Sequence, residues 1–391
     1  MLKEKEPRPV WAEIDIDNLA HNIKEVRRIT KVSTIIMAVV KADAYGHGVE
    51  IAAKTFLENG AERLGVATLT EAIQLRKMGF NTPILILGHT PWYKSEDVVK
   101  YEVTPTVFSY EQAKNLSEAA SSTGKTVKIH VKIDTGMGRL GFLTSDDSIN
   151  DIVRISKLPS IEVEGIFTHF AMADRRDKSY TRDQFKKYVR VVDELEKRGV
   201  DIPIKHVSNS AATIDLPEYN LDMVRPGIIL YGLYPSNEVD KSKVNLKPAM
   251  TLKAKISYIK TVPEKTGISY GLSFITKRES RIGTLPIGYA DGYRRTLSNR
   301  AEVGVRGKRA PVVGTVCMDQ CMIDLTDIEG TEVGDEVILF GDGSNNAPHI
   351  DEVAEWLGTI NYEVVCMVGR RVPRVYKKNG KIVEIKDYLI G

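Results

Sequence analysis

The chain has 391 residues, 42% apolar and 27% charged, with a net charge of +3. That length exceeds one ordinary core and predicts two domains, while the composition is that of a soluble globular protein. Interspersed charge gives no electrostatic case for nucleic acid or membrane. The apolar runs fall short of a membrane span, and the opening MLKEKEPRP is charged rather than signal-like. Three cysteines, Cys317, Cys321 and Cys366, fit the reduced thiols of a cytoplasmic protein. The C-x-x-x-C spacing of the first two, with no second pair or nearby histidines, argues against zinc and predicts no metal site.

From Thr34 to Gly232 a rhythm repeats: a short apolar, β-branched run, a turn, then a polar stretch of helical period. The runs are TIIMAVVK (34–41), RLGVAT (63–68), PILILG (83–88), TPTVFS (104–109), VKIHVKID (127–134), VEGIFTHF (163–170), IKHVSNS (204–210) and MVRPGIILYG (223–232). Several are apolar throughout, as expected of parallel strands covered on both faces. Between them lie amphipathic segments such as 18–31, 70–79 and 183–199. Eight strand-like runs alternating with helices predict a (β/α)8 TIM-type barrel, with a doubly wound sheet as the alternative because periodicity cannot show closure.

After about Val244 the texture becomes β-rich, with Gly/Pro/Asp turns between short strands. Lys378-Asn379-Gly380-Lys381 predicts a tight hairpin, and IDEVAEWLGTINYEVV (350–365) predicts one helix. The predicted boundaries are 10–240 for the barrel and 241–391 for a mostly-β domain. Residues 1–9 can be added to the second domain, and the strand VWAEIDI could complete it. NEVDKSKVNLK (237–247) is the expected linker.

Active-site groups of such barrels come from strand C-termini and the loops after them. Those ends carry Lys41, His89, Lys132 and Asp134, His169, Asn209 and Ser210, and Arg225: a polar ring on apolar strands. Lys41 is either a strand-end lysine reaching for solvent or a partly buried amine able to form a Schiff base. Ser210, opening a short helical stretch in Val207-Ser-Asn-Ser-Ala-Ala-Thr213, is either part of an anion site or a plain N-cap. Arg225 stands beside Gly227, where backbone can approach a ligand; its alternative is a simple pair with a carboxylate. Lys132 and Asp134 alternate with apolar residues, so they share a strand face, and a lysine pointing into a barrel needs a partner. His169 taken alone reads as a satisfied buried histidine. In the second domain, tyrosines of Ile268-Ser-Tyr270-Gly and Leu285-Pro-Ile-Gly-Tyr289-Ala-Asp-Gly-Tyr293 stand next to glycines, where packing is their ordinary use. No Gly-x-Gly-x-x-Gly or Walker loop stands at a strand–helix junction, so nucleotide chemistry has little support.

Taken in order, AVVKADAYGHG, VKIDTGMGRLG, THFA, NSAAT, VRPGIILYG, SYG, PIGYADGY, CMDQ and INYEV resemble the alanine racemase family over nearly the whole chain. The resemblance implies a pyridoxal 5′-phosphate (PLP) enzyme that converts L-alanine to D-alanine for peptidoglycan, working as a homodimer with shared active sites. Lys41 would anchor PLP and act as one base, and Tyr270 from the other subunit as the opposite base, with His169 and Arg225 tuning it. Arg225 would face the pyridine nitrogen. Tyr45, Ser210, Tyr362 and the backbone of Gly227 and Ile228 would hold phosphate. Arg139 would touch the cofactor and the substrate carboxylate, joined there by the Met318 N–H from the other subunit. Lys132 would be N-carboxylated and orient Arg139. Asp174, Tyr289 and Arg295 would line the entrance, where Thr315 stands in place of an arginine common in relatives. The resemblance gives His47 no role. A broad-specificity or serine racemase of this fold is the alternative, followed by a barrel-type PLP decarboxylase, which Cys317-Met-Asp319 superficially resembles. A non-catalytic PLP carrier would leave the second domain unexplained.

Overall fold

A computed structural model describes residues 8–390. It contains two compact units. One comprises residues 19–44 and 49–246; the other gathers 8–18, 45–48 and 247–390.

The first strand, β1 (Val10–Asp15), belongs to the second unit. The eight strands of the first unit are β2 (Ile35–Val39), β3 (Arg63–Val66), β4 (Ile84–Ile86), β5 (Thr104–Val107), β6 (Val127–Lys132), β7 (Ile161–Phe167), β8 (Ile204–His206) and β9 (Met223–Val224). They form one parallel sheet in the order β8-β7-β6-β5-β4-β3-β2-β9. Backbone bonds from Asp222 N to Lys205 O (3.1 Å) and Arg225 N to Ser208 O (3.0 Å) join the β9 segment back to β8, so the sheet curls into the expected barrel rather than a doubly wound sheet. Strand β4 is buried at every position, which is why its sequence Ile84-Leu-Ile86 runs apolar without alternation. The last predicted run is cut to two residues because Pro226 offers no N–H to the ladder and the chain turns into the 3₁₀ segment Ile228–Tyr231. Serine and threonine caps start the outer helices: Thr68 Oγ1 accepts from Glu71 N, and Ser109 and Ser145 cap the helices Tyr110–Ser122 and Asp146–Ile155. The expected linker packs onto this unit instead of running free, with Val239, Val244 and Leu246 buried.

The second unit contains β10 (Met250–Lys255), β11 (Tyr258–Val262), β12 (Gly267–Ile268), β13 (Phe274–Ile275), β14 (Ser280–Leu285), β15 (Glu302–Val305), β16 (Lys308–Pro311), β17 (Cys321–Asp324), β18 (Glu336–Phe340), β19 (Arg374–Lys378) and β20 (Lys381–Lys386). Seven strands pair in the order β16-β15-β18-β10-β1-β19-β20, while β11-β14-β17 and the hairpin β12-β13 form separate sheets. Hence β1 is an interior strand, antiparallel to β10 and parallel to β19. Its apolar residues Val10, Trp11, Ala12 and Ile14 are buried there. A boundary at residue 10 would detach this strand from both neighbours; the structure divides the chain after Asn18 and after Leu246. Residues 1–7 of the expected N-terminal addition lie outside the described residues.

The Asn379-Gly380 hairpin forms as expected, both residues at positive φ (51° and 72°) between β19 and β20. The single helix expected over 350–365 is two, Ile350–Leu357 and Asn361–Cys366, because Gly358 at φ 68° ends the first with a left-handed cap. No helix among the described residues is long and apolar enough to cross a membrane.

Candidate active site

Lys41 follows β2 at the C-terminal side of the barrel, and the backbone after it is unusual. Ala42, Asp43, Ala44 and Tyr45 all have φ of 53–54°, a left-handed turn of four consecutive non-glycine residues. Such a conformation costs about 1–2 kcal/mol per residue and survives only when surrounding bonds over-determine it. Here Ala42 N donates to Glu71 Oε1 (2.7 Å), Ala44 N donates to Val40 O (2.9 Å) and Val49 N donates to Asp43 Oδ1 (2.8 Å). The other oxygen of Glu71 accepts from Ala67 N (2.7 Å) and Thr68 N (3.1 Å), so one capping carboxylate fixes both a helix start and the residue after Lys41.

At the end of β6, Asp134 organises the glycine loop: its carboxylate accepts N–H bonds from Gly136 (2.9 Å), Gly138 (3.1 Å) and Arg139 (3.1 Å). Burial opposes ionisation, but these N–H groups and that of Met137 hold the carboxyl below its ordinary value. Gly141 must be glycine, since a Cβ there would sit 2.4 Å from Asp134 N. Lys132 points into the barrel, 2% exposed, its Nζ 4.7 Å above the Phe167 ring. Burial, followed by the charges of Arg225 and Arg139, pushes its ammonium down to about 7, against the pull of Asp134. Among the described residues no carboxylate pairs with it.

Arg225 is buried just beyond β9. It donates to Thr168 O (2.8 Å), Val207 O (3.0 Å) and His206 Nδ1 (3.0 Å), and its NH2 lies 3.4 Å from His169 Nδ1. Burial lowers its pKa to about 9, Tyr188 opposing and Arg139 adding to the shift, so it stays a cation at neutral pH. The simple pairing of Arg225 with a carboxylate, open from sequence, does not occur. His169 ties the ring together electrostatically. Its pKa is held well below the ordinary value by burial and by the charges of Arg225, Lys132, Arg139 and Lys41. Four basic side chains thus act on one imidazole, Arg225 within 3.4 Å of it, and the one carboxylate of the set, Asp134, is spent on its loop.

Ser210 is not the N-cap of its helix. Asn209 is, its Oδ1 accepting from Ala212 N (3.1 Å), and Ser210 Oγ instead accepts the Gly227 N–H (2.8 Å). The Ser210 O–H is thereby left to donate elsewhere, next to buried Ile228 at the start of the 3₁₀ segment. His89 does not join the ring; it is exposed against Phe108, with centroids 5.7 Å apart. Asp174 is partly exposed, its carbonyl accepting from Ser236 Oγ.

In the β-rich unit, Tyr45 is buried with its ring 6.3 Å from that of Tyr362. Burial raises its phenol well above the ordinary value, with Tyr362 and Cys366 adding. His47 is buried, with Nδ1 2.9 Å from Tyr45 O, and Tyr376 Oη donates to its carbonyl (3.1 Å): it braces the loop. A Cβ on Gly48 (φ 89°) would lie 1.8 Å from Tyr376 Oη. Tyr270 opens a 3₁₀ turn and is 72% exposed, on a unit that also exposes Leu272 (62%), Met318 (52%) and Tyr289 (41%). Thr315 Oγ1 donates to Tyr270 O (2.9 Å) and lies 3.1 Å from Ser273 Oγ, while Ser269 Oγ donates to Thr315 O (2.6 Å). Arg295 is exposed at the start of the turn Arg295–Leu297.

The residue reading missed Glu71, His130, Glu164 and His206. A capping box at Thr68-x-x-Glu71 was available as a signal for the first; His130 and Glu164 lie inside strands and His206 ends β8, and nothing in the sequence sets them apart.

An amine at a strand end, guanidinium donors, a free serine hydroxyl and surplus positive charge suit a small anionic molecule bearing a carbonyl. They fit PLP and an amino acid carboxylate. Comparison with known proteins agrees. Residues 14–235 match the family model for the alanine racemase N-terminal domain, and 249–376 match that for its C-terminal domain. The chain is 53% identical over 382 residues to alanine racemase 1 of Clostridium acetobutylicum, covering 98% of this chain and 99% of that protein. It is 54% identical over 368 residues to alanine racemase of Methanococcus maripaludis, covering 94% and 98%. Among solved structures, alanine racemase of Clostridium difficile 630 superposes with TM-score 0.95 at 46% identity, covering 99% of this chain and 100% of that one. Alanine racemase of Bacillus anthracis with bound L-Ala-P gives 0.93 at 39% identity, covering 98% of each.

Proposed function

The chain belongs to the alanine racemase family, whose members use PLP, and on that premise we propose that its barrel mouth holds PLP and racemises alanine with two opposed bases. The observation that carries the reading is the convergence of Lys41, Lys132, Arg139 and Arg225 around His169. Bound PLP supplies a carbonyl that condenses with the substrate amine and a ring that draws electrons from the Cα–H bond.

Lys41 would anchor the cofactor through its amine, and the same amine would take or return a proton on one face of the substrate Cα. Tyr270 from a second copy of the chain serves the opposite face; a proton must leave one side and arrive on the other for configuration to invert. Its exposure, beside Leu272 and Met318, suits a surface that another copy covers, which supports a homodimer. His169, kept neutral by its cationic neighbours, can accept a hydrogen bond from that phenol. Arg225 donates to the pyridine nitrogen without giving up its proton. The Ser210 hydroxyl, the backbone at Gly227 and Ile228, and the phenols of Tyr45 and Tyr362 are the phosphate groups. Arg139 and the Met318 N–H take the substrate carboxylate. Asp174, Tyr289 and Arg295 are the entrance residues.

Lys132 has the properties that carbamate formation needs. With its ammonium pushed down to about 7, a large fraction of the amine is neutral near neutral pH, so the nitrogen would attack CO2 and release one proton, leaving an anion that pairs with Arg139. The buried cation without a carboxylate becomes a buried ion pair. A cytoplasmic enzyme making D-alanine for peptidoglycan is the physiological reading.

Turnover measured across L-alanine, L-serine, L-lysine and L-arginine tests the proposal. Racemisation of alanine well above the others is expected; a yellow protein that leaves L-alanine unchanged would refute it.

A further inference from the structure

Three buried polar groups that the mechanism does not use continue the bonding of Arg225 through the barrel. The Arg225 guanidinium lies 3.0 Å from His206 Nδ1, His206 Nε2 lies 2.8 Å from His130 Nδ1, and His130 Nε2 lies 3.1 Å from Glu164 Oε2. Both imidazoles are fully buried and Glu164 nearly so. The His130 ring rests on Gly165, where a Cβ would come within 2.4 Å of it, and His206 stacks on Phe167 at 4.7 Å. Glu164 also binds Arg63 (2.6 Å) and Lys128 (3.0 Å), and all three line a cavity of 720 Å³ at the N-terminal ends of the strands. The line therefore crosses from that end of the barrel to the mouth.

We propose that Glu164, His130 and His206 form a one-directional hydrogen-bond line that fixes Arg225 as a donor, which makes Glu164 and His130 positioning residues for the reaction. The direction follows from the ends. A guanidinium can only donate, and an ionised carboxylate can only accept. His206 must therefore accept at Nδ1 and carry its proton on Nε2, and His130 must do the same to reach Glu164. A proton added to either ring would set two N–H groups against each other. Burial, together with the charge of Arg225, holds both rings below their ordinary pKa, with Glu164 opposing at His130. Among the described residues no carboxylate touches Arg225, so Glu164 is its counter-charge through two polarised imidazoles. The proposal rests on Arg225 belonging to the cofactor site, but the proton arrangement can be read without the cofactor.

Histidine ¹⁵N spectra of the cofactor-free protein should show His130 and His206 neutral, protonated on Nε2, and unchanged between about pH 6 and 9. A proton on Nδ1 of either ring would overturn the line whatever the protein catalyses. In the holoenzyme, Glu164→Gln and His130→Phe should lower kcat about tenfold, leave KM for alanine within about twofold, and shift the visible band of bound cofactor. Lys128→Met, which removes one ion pair from Glu164 but spares the line, should stay within about twofold of the parent. Equal effects of Lys128→Met and Glu164→Gln, with the band unmoved, would make Glu164 merely structural and sink the proposal.

Discussion

The two proposed bases stand on unlike ground. Lys41 follows a buried strand, and its loop is fixed by Glu71, Asp43 and a left-handed backbone that the barrel over-determines. Tyr270 projects from an exposed turn held chiefly by Thr315, on a unit displaying Leu272 and Met318 to solvent. The lysine side is held in place by bonds within one chain; the tyrosine side is exposed, which the proposed second copy would cover. Position can be set by buried bonds where the chain encloses itself, but a base for the second face must come from a surface free to be covered.

The largest expected effect separates the two regions outright. Lys41→Ala should abolish racemisation, at least about 10³-fold, and remove the visible absorption of bound cofactor. Tyr270→Phe should keep that absorption while lowering turnover about 10²–10⁴-fold. It should also damage the two directions of proton abstraction unequally, so that isotope effects from L- and D-alanine diverge. Identical effects before and after the change would remove the distinction between the two faces.

An intermediate effect is expected at Lys132. Intact mass of CO2-equilibrated native protein should show one added CO2, lost in Lys132→Met, with turnover down about tenfold. With CO2 stripped, the free amine returns. Its folded pKa of about 7 lies below the unfolded value, so the unfolded chain binds the extra proton above about pH 7. Stability relative to Lys132→Met should then rise with pH from about 7 towards the ordinary lysine value, and rise more steeply at a fixed CO2 concentration, because carbamate formation releases a further proton. A flat difference in both conditions would argue against a titrating amine there.

The smallest effect is the most local. Thr315→Val removes the hydroxyl that donates to Tyr270 O, a loss of about 1 kcal/mol in stability. Turnover should fall severalfold with the cofactor band unchanged, because only the tyrosine side is loosened. A shifted band would mean that the two sides are not independent.

Local patterns determined much of this protein. The eight apolar runs, the Asn379-Gly380 hairpin and the polar strand ends were legible because period, turn chemistry and strand direction are properties of neighbouring residues. Tertiary structure decided the rest. It seated Val10–Asp15 between β10 and β19 as an interior strand of the second unit, a register that pairing across about 240 residues leaves no local trace of. It broke the 350–365 helix at Gly358 and made Asn209 rather than Ser210 the cap. It gathered His206, His130 and Glu164 behind Arg225, because only barrel closure brings residues of β6, β7 and β8 beside the one that follows β9.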